Sequence, residues 1–242
     1  YSKGILDGLG TAWYENGNKK LELTYKNGKF EGLSVAWHQN GQKHFEMTHL
    51  NGIKIGKYEE WYKSGIKRKE RYYNNDGSRD STKMAIIWHD NGQIWSQGYY
   101  KTVDTTNLKI GFHELWYKEG NKYFEGEFKN GKVISYLNIS YYDNGEKEEE
   151  SRYKNGKKYG KWVRWNEDGR KIKEVLYPKG EVVFFVDLDH YENGQTKHEY
   201  NYRYGKLNGS SMKWYENGQM SSKYYYSKGI LDGLGTAWYE NG

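Results

Sequence analysis

The stretch Trp13-Tyr14-Glu15-Asn16-Gly17 decides the fold, because its pattern returns along the whole chain. Each copy places an aromatic residue or a histidine, here called the anchor, four positions before a glycine. These glycines are Gly17, Gly41, Gly65, Gly92, Gly120, Gly145, Gly169, Gly194, Gly218 and Gly242. They are 24, 24, 27, 28, 25, 24, 25, 24 and 24 residues apart. A nearly fixed period of this length is the signature of a repeat architecture.

The period divides the chain into the end of a preceding repeat, residues 1–17, and nine repeats over residues 18–242. The eighth residue of each repeat is again aromatic or histidine, as in Tyr25, and a second turn usually follows, as in Lys26-Asn27-Gly28-Lys29. Asn-Gly is the dipeptide best able to hold two positive φ values in a type I′ hairpin turn. Each repeat therefore predicts two short strands and two turns.

Composition supports the same fold class. Only 35% of the 242 residues are hydrophobic and 18% are aromatic, with 30 glycines and a single proline. Aromatic residues favour strands, and glycine favours turns. We predict an all-β fold, an elongated tandem array of β-hairpin repeats of about 24–25 residues, built as a twisted antiparallel meander or a solenoid.

The anchors predict a structural aromatic ladder, because equivalent residues of stacked repeats lie one above another. Aromatic columns in a repeat array serve packing more often than ligand binding, so we assign this ladder to packing. Its members are Trp13, Trp37, Trp61, Trp88, Trp116, Tyr141, Trp165, Trp214 and Trp238.

Two adjacent repeats are longer than the others, with insertions near residues 74–82 and 101–109. Both insertions lengthen the second turn, so both loops should emerge side by side on one edge. Insertions on one face of a repeat array often form its contact surface, although a tolerated surface loop is the alternative. The candidate contact residues are Asn75, Asp76, Arg79, Asp80, Thr102, Asp104 and Asn107.

The sequence offers no singular catalytic or metal-binding constellation. There is no cysteine, which excludes disulfides, thiolate metal sites and cysteine nucleophiles. Four of the seven histidines occupy aromatic positions of the repeat: His38, His49, His89 and His190. The other three lack the spacing of a known metal motif: His44, His113 and His198. We expect a protein that is not an enzyme and has no cofactor or metal.

Charge and hydropathy exclude two further classes of partner. The net charge is +6, but lysines recur at turns along the whole length and acidic residues lie between them. A nucleic-acid-binding domain concentrates its cations on one face, so no nucleic-acid partner is expected. There is no run of eighteen apolar residues, so no transmembrane segment is expected.

A second, longer period is superimposed on the first. Residues 226–242 are identical to residues 1–17, at an offset of 225 residues, or nine whole repeats. The intervening repeats do not share the Ile-Leu-Asp-Gly-Leu stretch of this segment, so the identity indicates a duplicated block. We expect the 242 residues to be one period, plus an overlap, of a longer polymer-like protein; an engineered or truncated chain is the alternative.

The pattern of Trp13–Gly17 followed by Tyr25-Lys26-Asn27-Gly28-Lys29 resembles the bacterial MORN-repeat variant family, which also occurs in YwqK-type antitoxin proteins. The resemblance covers essentially the whole chain. It implies an all-β hairpin array with a non-enzymatic scaffolding or binding role. Where the chain departs from the pattern, at Asn166, at His190 and in the two long repeats, the register or the turn should differ.

These observations favour a non-enzymatic structural segment of a long extracellular or cell-surface fibre or adhesin, which provides reach and contact surface. Its expected partners are itself, by end-to-end continuation or bundling, and a surface protein or glycan. Two alternatives stay open. One is a cytoplasmic protein-binding scaffold, which the antitoxin resemblance implies. The other is a cell-wall or glycan-binding module, since choline- and glucan-binding repeats also combine paired aromatics with Asn-Gly turns.

Overall fold

The computed structural model describes residues 4–241 and confirms the all-β prediction. The residues form two compact units, one ending at Ile134 and the other beginning at Ser135. Strands of the first unit are β1 (Gly8–Trp13), β2 (Lys19–Lys26), β3 (Lys29–Phe30), β4 (Gly32–Trp37), β5 (Lys43–Leu50), β6 (Ile53–Trp61), β7 (Lys67–Tyr73), β8 (Ala85–Trp88), β9 (Ile94–Val103), β10 (Thr106–Trp116) and β11 (Lys122–Lys129).

The boundary falls within β12 (Lys132–Tyr141). The remaining strands of the second unit are β13 (Lys147–Lys154), β14 (Lys157–Lys158), β15 (Gly160–Trp165), β16 (Lys171–Tyr177), β17 (Phe184–His190), β18 (Thr196–Arg203), β19 (Lys206–Trp214), β20 (Met220–Ser227), β21 (Ile230–Leu231) and β22 (Thr236–Ala237). Within each unit, strands pair antiparallel with their neighbours in sequence, as β1 with β2 and β4 with β5. Each unit is thus an antiparallel meander, one of the two arrangements expected.

The two turns of a repeat differ in backbone geometry. In the second turn, Asn27 and Gly28 have φ values of 52° and 78°, which confirms the predicted type I′ turn. In the first turn, Gly17 has a φ of 85° and its N–H donates to the carbonyl of Tyr14 at 3.0 Å. The Oδ1 atom of Asn16 accepts from the Asn18 N–H at 3.2 Å, so this asparagine braces the turn with its side chain. Glycine is required here because its φ is positive.

A register shift lies immediately before nine of the ten anchors, and the sequence did not predict it. The register shifts between Ala12 and Trp13, and the same shift precedes the anchors of the later hairpins. After the shift, Trp13 lies opposite Lys19 on the neighbouring strand. The extra residue of this β-bulge lies on the following strand, as Lys20 does opposite the step from Ala12 to Trp13. A bulge bends the strand that carries the extra residue, so the following strand bends near its start.

The aliphatic core is small, as the composition requires. Its buried members are Val35, Ala36, Met47, Ala85, Ile139, Val163 and Val175. Half-buried aromatic rings fill the rest of each interior, in contacts such as Phe45 with Tyr58 at 6.3 Å and Phe185 with Tyr202 at 4.3 Å between ring centroids. Contacts between neighbouring hairpins, not a thick hydrophobic layer, therefore hold each unit together.

Candidate functional site

Lysine ammonium groups lie between successive anchors of the predicted ladder. The Lys19 Nζ lies over the ring of Trp37 at 5.4 Å, and the Lys43 Nζ lies over Trp61 at 5.2 Å. Lys43 is itself opposite Trp37 in the strand register, so ring and cation alternate along the column. The same contact with the next anchor recurs for Lys67 with Trp88 and for Lys147 with Trp165. Lys122 differs, because it lies over Trp116, the anchor opposite it in its own hairpin. Cation–π contacts thus form part of the packing of this ladder.

Each of these lysines also pairs with a glutamate three residues later. Lys19 contacts Glu22 at 2.6 Å, and Lys43 contacts Glu46 at 2.5 Å. Both lysine side chains are more than a third exposed, so these ion pairs contribute little to stability. Their effect is to hold the ammonium group in place over the next ring.

Within each unit, a hydrogen-bond ladder joins a first turn to the next one, except at the turn that starts at Asn166. The residue after the anchor donates to the carbonyl oxygen of the following anchor, as from the Tyr62 Oη to Trp88 at 2.8 Å. Histidine takes the same role, since the His38 Nε2 donates to the Trp61 carbonyl at 2.9 Å. This confirms that histidine substitutes for tyrosine in the repeat. The other donors are Tyr14, His89, Tyr142, Tyr191 and Tyr215.

The asparagine of the first turn adds a second rung to this ladder. The Asn40 Nδ2 donates to the Lys63 carbonyl at 2.7 Å, and Asn144 donates to Glu167 at 2.7 Å. Four further asparagines do the same: Asn16, Asn91, Asn193 and Asn217. The sequence analysis above predicts neither set of hydrogen bonds. Their signal in the sequence is the recurrence of Tyr or His, and of Asn, at fixed positions of the repeat.

The departures from the pattern leave the turn unchanged. The turn that starts at Asn166 has the usual backbone bonds, from Asn166 N to the Arg170 carbonyl at 2.9 Å and from Gly169 N to the Asn166 carbonyl at 2.9 Å. The usual bulge also precedes His190. The expected change of register or turn is therefore wrong at these two positions. What changes is the side chain, because Asn166 accepts a bond from the Arg170 N–H within its own turn.

The two insertions lie side by side in the first unit, as predicted. The Arg79 N–H donates to the Thr102 Oγ1 at 2.8 Å, and that hydroxyl donates to the Asn107 Oδ1 at 2.9 Å. The insertions border an open cleft of about 480 Å³. Its lining comes from both: Tyr73, Asp76, Gly77, Ser78, Thr102, Asp104, Thr105 and Asn107.

The insertions themselves differ in structure. Residues 101–109 are not a loop, because β9 continues to Val103 and β10 begins at Thr106, leaving a two-residue tip. Asp104 in that tip has a φ of 53°. The long turn predicted here is wrong: the extra residues lengthen a hairpin, since their β-favouring side chains continue the ladder of backbone bonds.

Residues 74–82 are irregular, and side-chain bonds to the backbone order them. The Asp76 carboxylate accepts from the Ser78 N–H at 2.8 Å, and Asp80 accepts from the Thr82 N–H at 2.9 Å. Hydrogen bonds from the side chain and, to a lesser degree, the backbone N–H of Ser78 lower the pKa of Asp76, and those of Thr82 lower the pKa of Asp80. Asn75 is exposed, whereas Arg79 is buried. The predicted contact residues thus divide into an ordered surface and one inward-facing cation.

Two features are absent from residues 4–241. No group of three or more His, Asp or Glu side chains is arranged to hold a metal ion there. No helix in that range is long and apolar enough to cross a bilayer.

Antiparallel hairpins with recurring bonds between their turns define a tandem β-hairpin repeat protein. Four segments, residues 6–27, 85–102, 137–155 and 207–228, match the family model described as MORN repeat variant. Each segment consists of two strands around a first turn. The resemblance drawn from the sequence is therefore confirmed at these four segments.

Matches to solved structures are distant. The crystal structure of TcdB2-TccC3-Cdc42 is 11% identical over 93% of this chain and 13% of that chain, with a TM-score of 0.31. TcdB2-TccC3-TEV matches at 11% identity over 91% of this chain and 12% of that chain, with the same TM-score. This chain thus spans only about an eighth of those chains, and we infer nothing from so low a structural similarity. No curated protein matches the chain.

Proposed function

We propose that this chain is a non-enzymatic structural segment of a long extracellular or cell-surface fibre, in which copies of the block continue one another. The observation that carries the proposal is the identity of residues 226–242 with residues 1–17. A segment that recurs unchanged after nine repeats is suited to join one block to the next. The structure describes residues 4–17 of the first copy and residues 226–241 of the second, and the two copies take the two bonding roles that such a joint needs.

In its first position the segment acts as donor. The Tyr14 hydroxyl and the Asn16 amide each donate to a backbone carbonyl of the next first turn, both at 2.9 Å. Strand β1, which lies within this segment, pairs with β2, the first strand of the following repeat. The segment can therefore support the repeat that follows it.

In its second position the segment acts as acceptor. The carbonyl of Trp238 accepts from the Tyr215 hydroxyl at 2.9 Å, and that of Glu240 accepts from the Asn217 amide at 3.0 Å. Strand β22 pairs with β20 on that side. One sequence thus supplies both halves of the ladder, which supports continuation of the array without a change in local geometry.

The proposal is tested by the mass and location of the native polypeptide from its source. Denaturing electrophoresis and intact mass spectrometry should give a mass many times 28.7 kDa. Labelling of intact cells with an antibody to the repeat should mark extended surface structures. A native chain without further blocks, or label found only after the cells are broken open, would contradict the proposal.

A second candidate is a protein-binding scaffold, and the cleft between the two insertions favours it. This surface interrupts the repeat once and presents Asp76, Thr102 and Asp104 together. A binding partner retained by the whole chain but lost by the Asp76→Lys/Asp104→Lys variant would support this candidate. Retention by the variant would remove the cleft as the binding surface.

A further inference from the structure

Arg79 is a buried cation in the first insertion, residues 74–82. Its residue is only 6% exposed, and its guanidinium lies over the rings of Tyr73 and Tyr100, at 5.4 and 5.3 Å from the ring centroids. A charged group taken out of water is costly unless it is paired and hydrogen-bonded. The two aromatic faces provide part of that compensation.

The compensation is incomplete. Within residues 4–241, neither Arg79 nor its neighbour Arg71 takes part in an ion pair, and the Arg79 Nε is buried without a hydrogen-bond acceptor. Burial, and to a lesser degree the like charge of Arg71, lowers the pKa of the Arg79 guanidinium. Arg71 and Arg79 line the same cavity, and no carboxylate is among the residues that line it.

The buried acid of the same unit shows the usual arrangement. Glu60 is also 6% exposed, and its carboxylate accepts from the Arg68 Nη1 at 2.6 Å and from the Tyr58 hydroxyl at 2.8 Å. The Lys69 Nζ lies 3.3 Å from the Glu60 Oε2, the same oxygen that accepts from Tyr58. The regular part of the array thus satisfies its buried charge internally, whereas the inserted part does not satisfy Arg79.

A small cavity adjoins the unpaired cation. It has a volume of about 100 Å³ and is lined by both arginines and Tyr100, with Ser96 and Asn107 as polar neighbours and Ala85 and Ile87 as an apolar wall. Since a water molecule takes up about 30 Å³ of liquid, the space suits a group of a few heavy atoms. Planar guanidinium groups bind carboxylates through paired N–H donors. The apolar wall suits a short hydrocarbon chain attached to that carboxylate.

We propose that this cavity binds a small aliphatic carboxylate, with its oxygens on Arg79 and Arg71 and its hydrocarbon part against Ala85 and Ile87. The site is independent of the fibre proposal, because it is built from the two insertions and from strands β7 to β10 of the first unit. The apolar wall favours a carboxylate over inorganic phosphate, which has no apolar part to place there.

The experiment uses the whole 242-residue chain and propionate, with inorganic phosphate and chloride as comparison anions at constant ionic strength. Binding should raise the thermal midpoint in proportion to the logarithm of propionate concentration, and should shift the Arg79 Nε–H resonance in NMR spectra. Arg79→Met and Arg71→Met should each weaken binding at least about tenfold. Arg203→Met is the control: it removes an arginine that lies over the ring of Tyr204 in the second unit, and it should leave propionate binding unchanged.

Each outcome bears on the proposal. Arg71→Met keeps the test valid if Arg79→Met does not fold, because Arg71 is only half-buried. Absence of saturable propionate binding to the folded chain, or equal binding by Arg71→Met, would overturn the site. Tighter binding of phosphate than of propionate would overturn the assignment of the ligand as a carboxylate.

Discussion

Two edges of the first unit are bonded differently. The regular edge consists of the first turns of its repeats, and the inserted edge consists of residues 74–82 and 101–109. On the regular edge, Tyr14, His38 and Tyr62 make the same bond to the next anchor, and each first turn supports its neighbour. On the inserted edge, the hairpin of β9 and β10 keeps antiparallel pairing, but Arg79 and Thr102 make contacts that occur once. The comparison teaches that repetition supplies packing, while a singular site arises where repetition stops.

The largest expected effect tests how tightly the inserted side is packed. A Cβ atom at Gly98 would overlap the imidazole of His113, which is buried against Tyr100 and Phe128. Overpacking of this kind costs about 3 kcal/mol, so Gly98→Ala should lower the urea midpoint strongly. The matched change on the regular side, Gly10→Ala, should cost less than about 1 kcal/mol, because its nearest contact, Tyr25, is 3.4 Å away.

Combining Gly98→Ala with His113→Ala provides the control. The double variant should lose less stability than the sum of the two single changes, since the overlap is removed. Additive losses would show that the histidine ring is not what excludes a side chain at Gly98.

A middle-sized effect tests the hydrogen-bond ladder of the regular edge. Tyr62→Phe removes the donor to the Trp88 carbonyl and keeps the ring. We expect a loss of about 1 kcal/mol in the free energy of unfolding, because a half-buried carbonyl is left without its partner. Tyr204→Phe, at a 66% exposed position, should be nearly neutral. Equal effects of the two changes would mean that the ladder bond contributes nothing.

A smaller effect on stability comes from pH, through the partly buried imidazole of His49. Burial, with a lesser effect from Lys54, lowers the pKa of His49, whose Nδ1 is 3.0 Å from the Ser34 Oγ. The unfolded chain then binds a proton at higher pH than the folded chain. The stability that His49 contributes is therefore fully present above 6.5, the ordinary pKa of histidine, and is lost as pH falls through the lowered pKa of the folded state.

The measurement is the urea midpoint between about pH 7.5 and about pH 5.5. His49→Asn, which offers an amide in place of the ring nitrogen, should flatten the decline. An unchanged slope in this variant would assign the pH dependence to other groups, such as His44 or His113, whose pKa values burial also lowers.

The smallest effect concerns the lysines of the anchor column. Lys43→Met removes the ion pair with Glu46 and the cation over Trp61, but it keeps a chain that can cover the ring. Because the lysine is exposed, the loss should be at most about 0.5 kcal/mol, and less at high salt. Lys43→Arg should be neutral. If Lys43→Met lost more unfolding free energy than Tyr62→Phe, the lysine contacts of the anchor column would contribute more than the hydrogen bonds between first turns, contrary to this ranking.

The sequence predicted what depends on local pattern. Turns such as Lys26–Lys29 follow from the φ preference of Asn-Gly, and the adjacency of the two insertions follows from their equal place in neighbouring repeats. It did not predict the bulge before Trp13, because a register shift depends on the pairing of two strands. It also did not predict the burial of Arg79, since the charge of an arginine favours exposure and only the packing of Tyr73 and Tyr100 removes it from water.

The most direct test of continuation compares the 242-residue chain with one that contains two successive 225-residue blocks. Hydrogen exchange is measured for the recurring segment, residues 226–242, in both chains. In the doubled chain this segment has a following repeat to receive its Tyr and Asn bonds, so its amides should exchange as slowly as those of an interior first turn. Exchange as fast as in the single block would show that the segment does not join consecutive blocks, and would contradict the account.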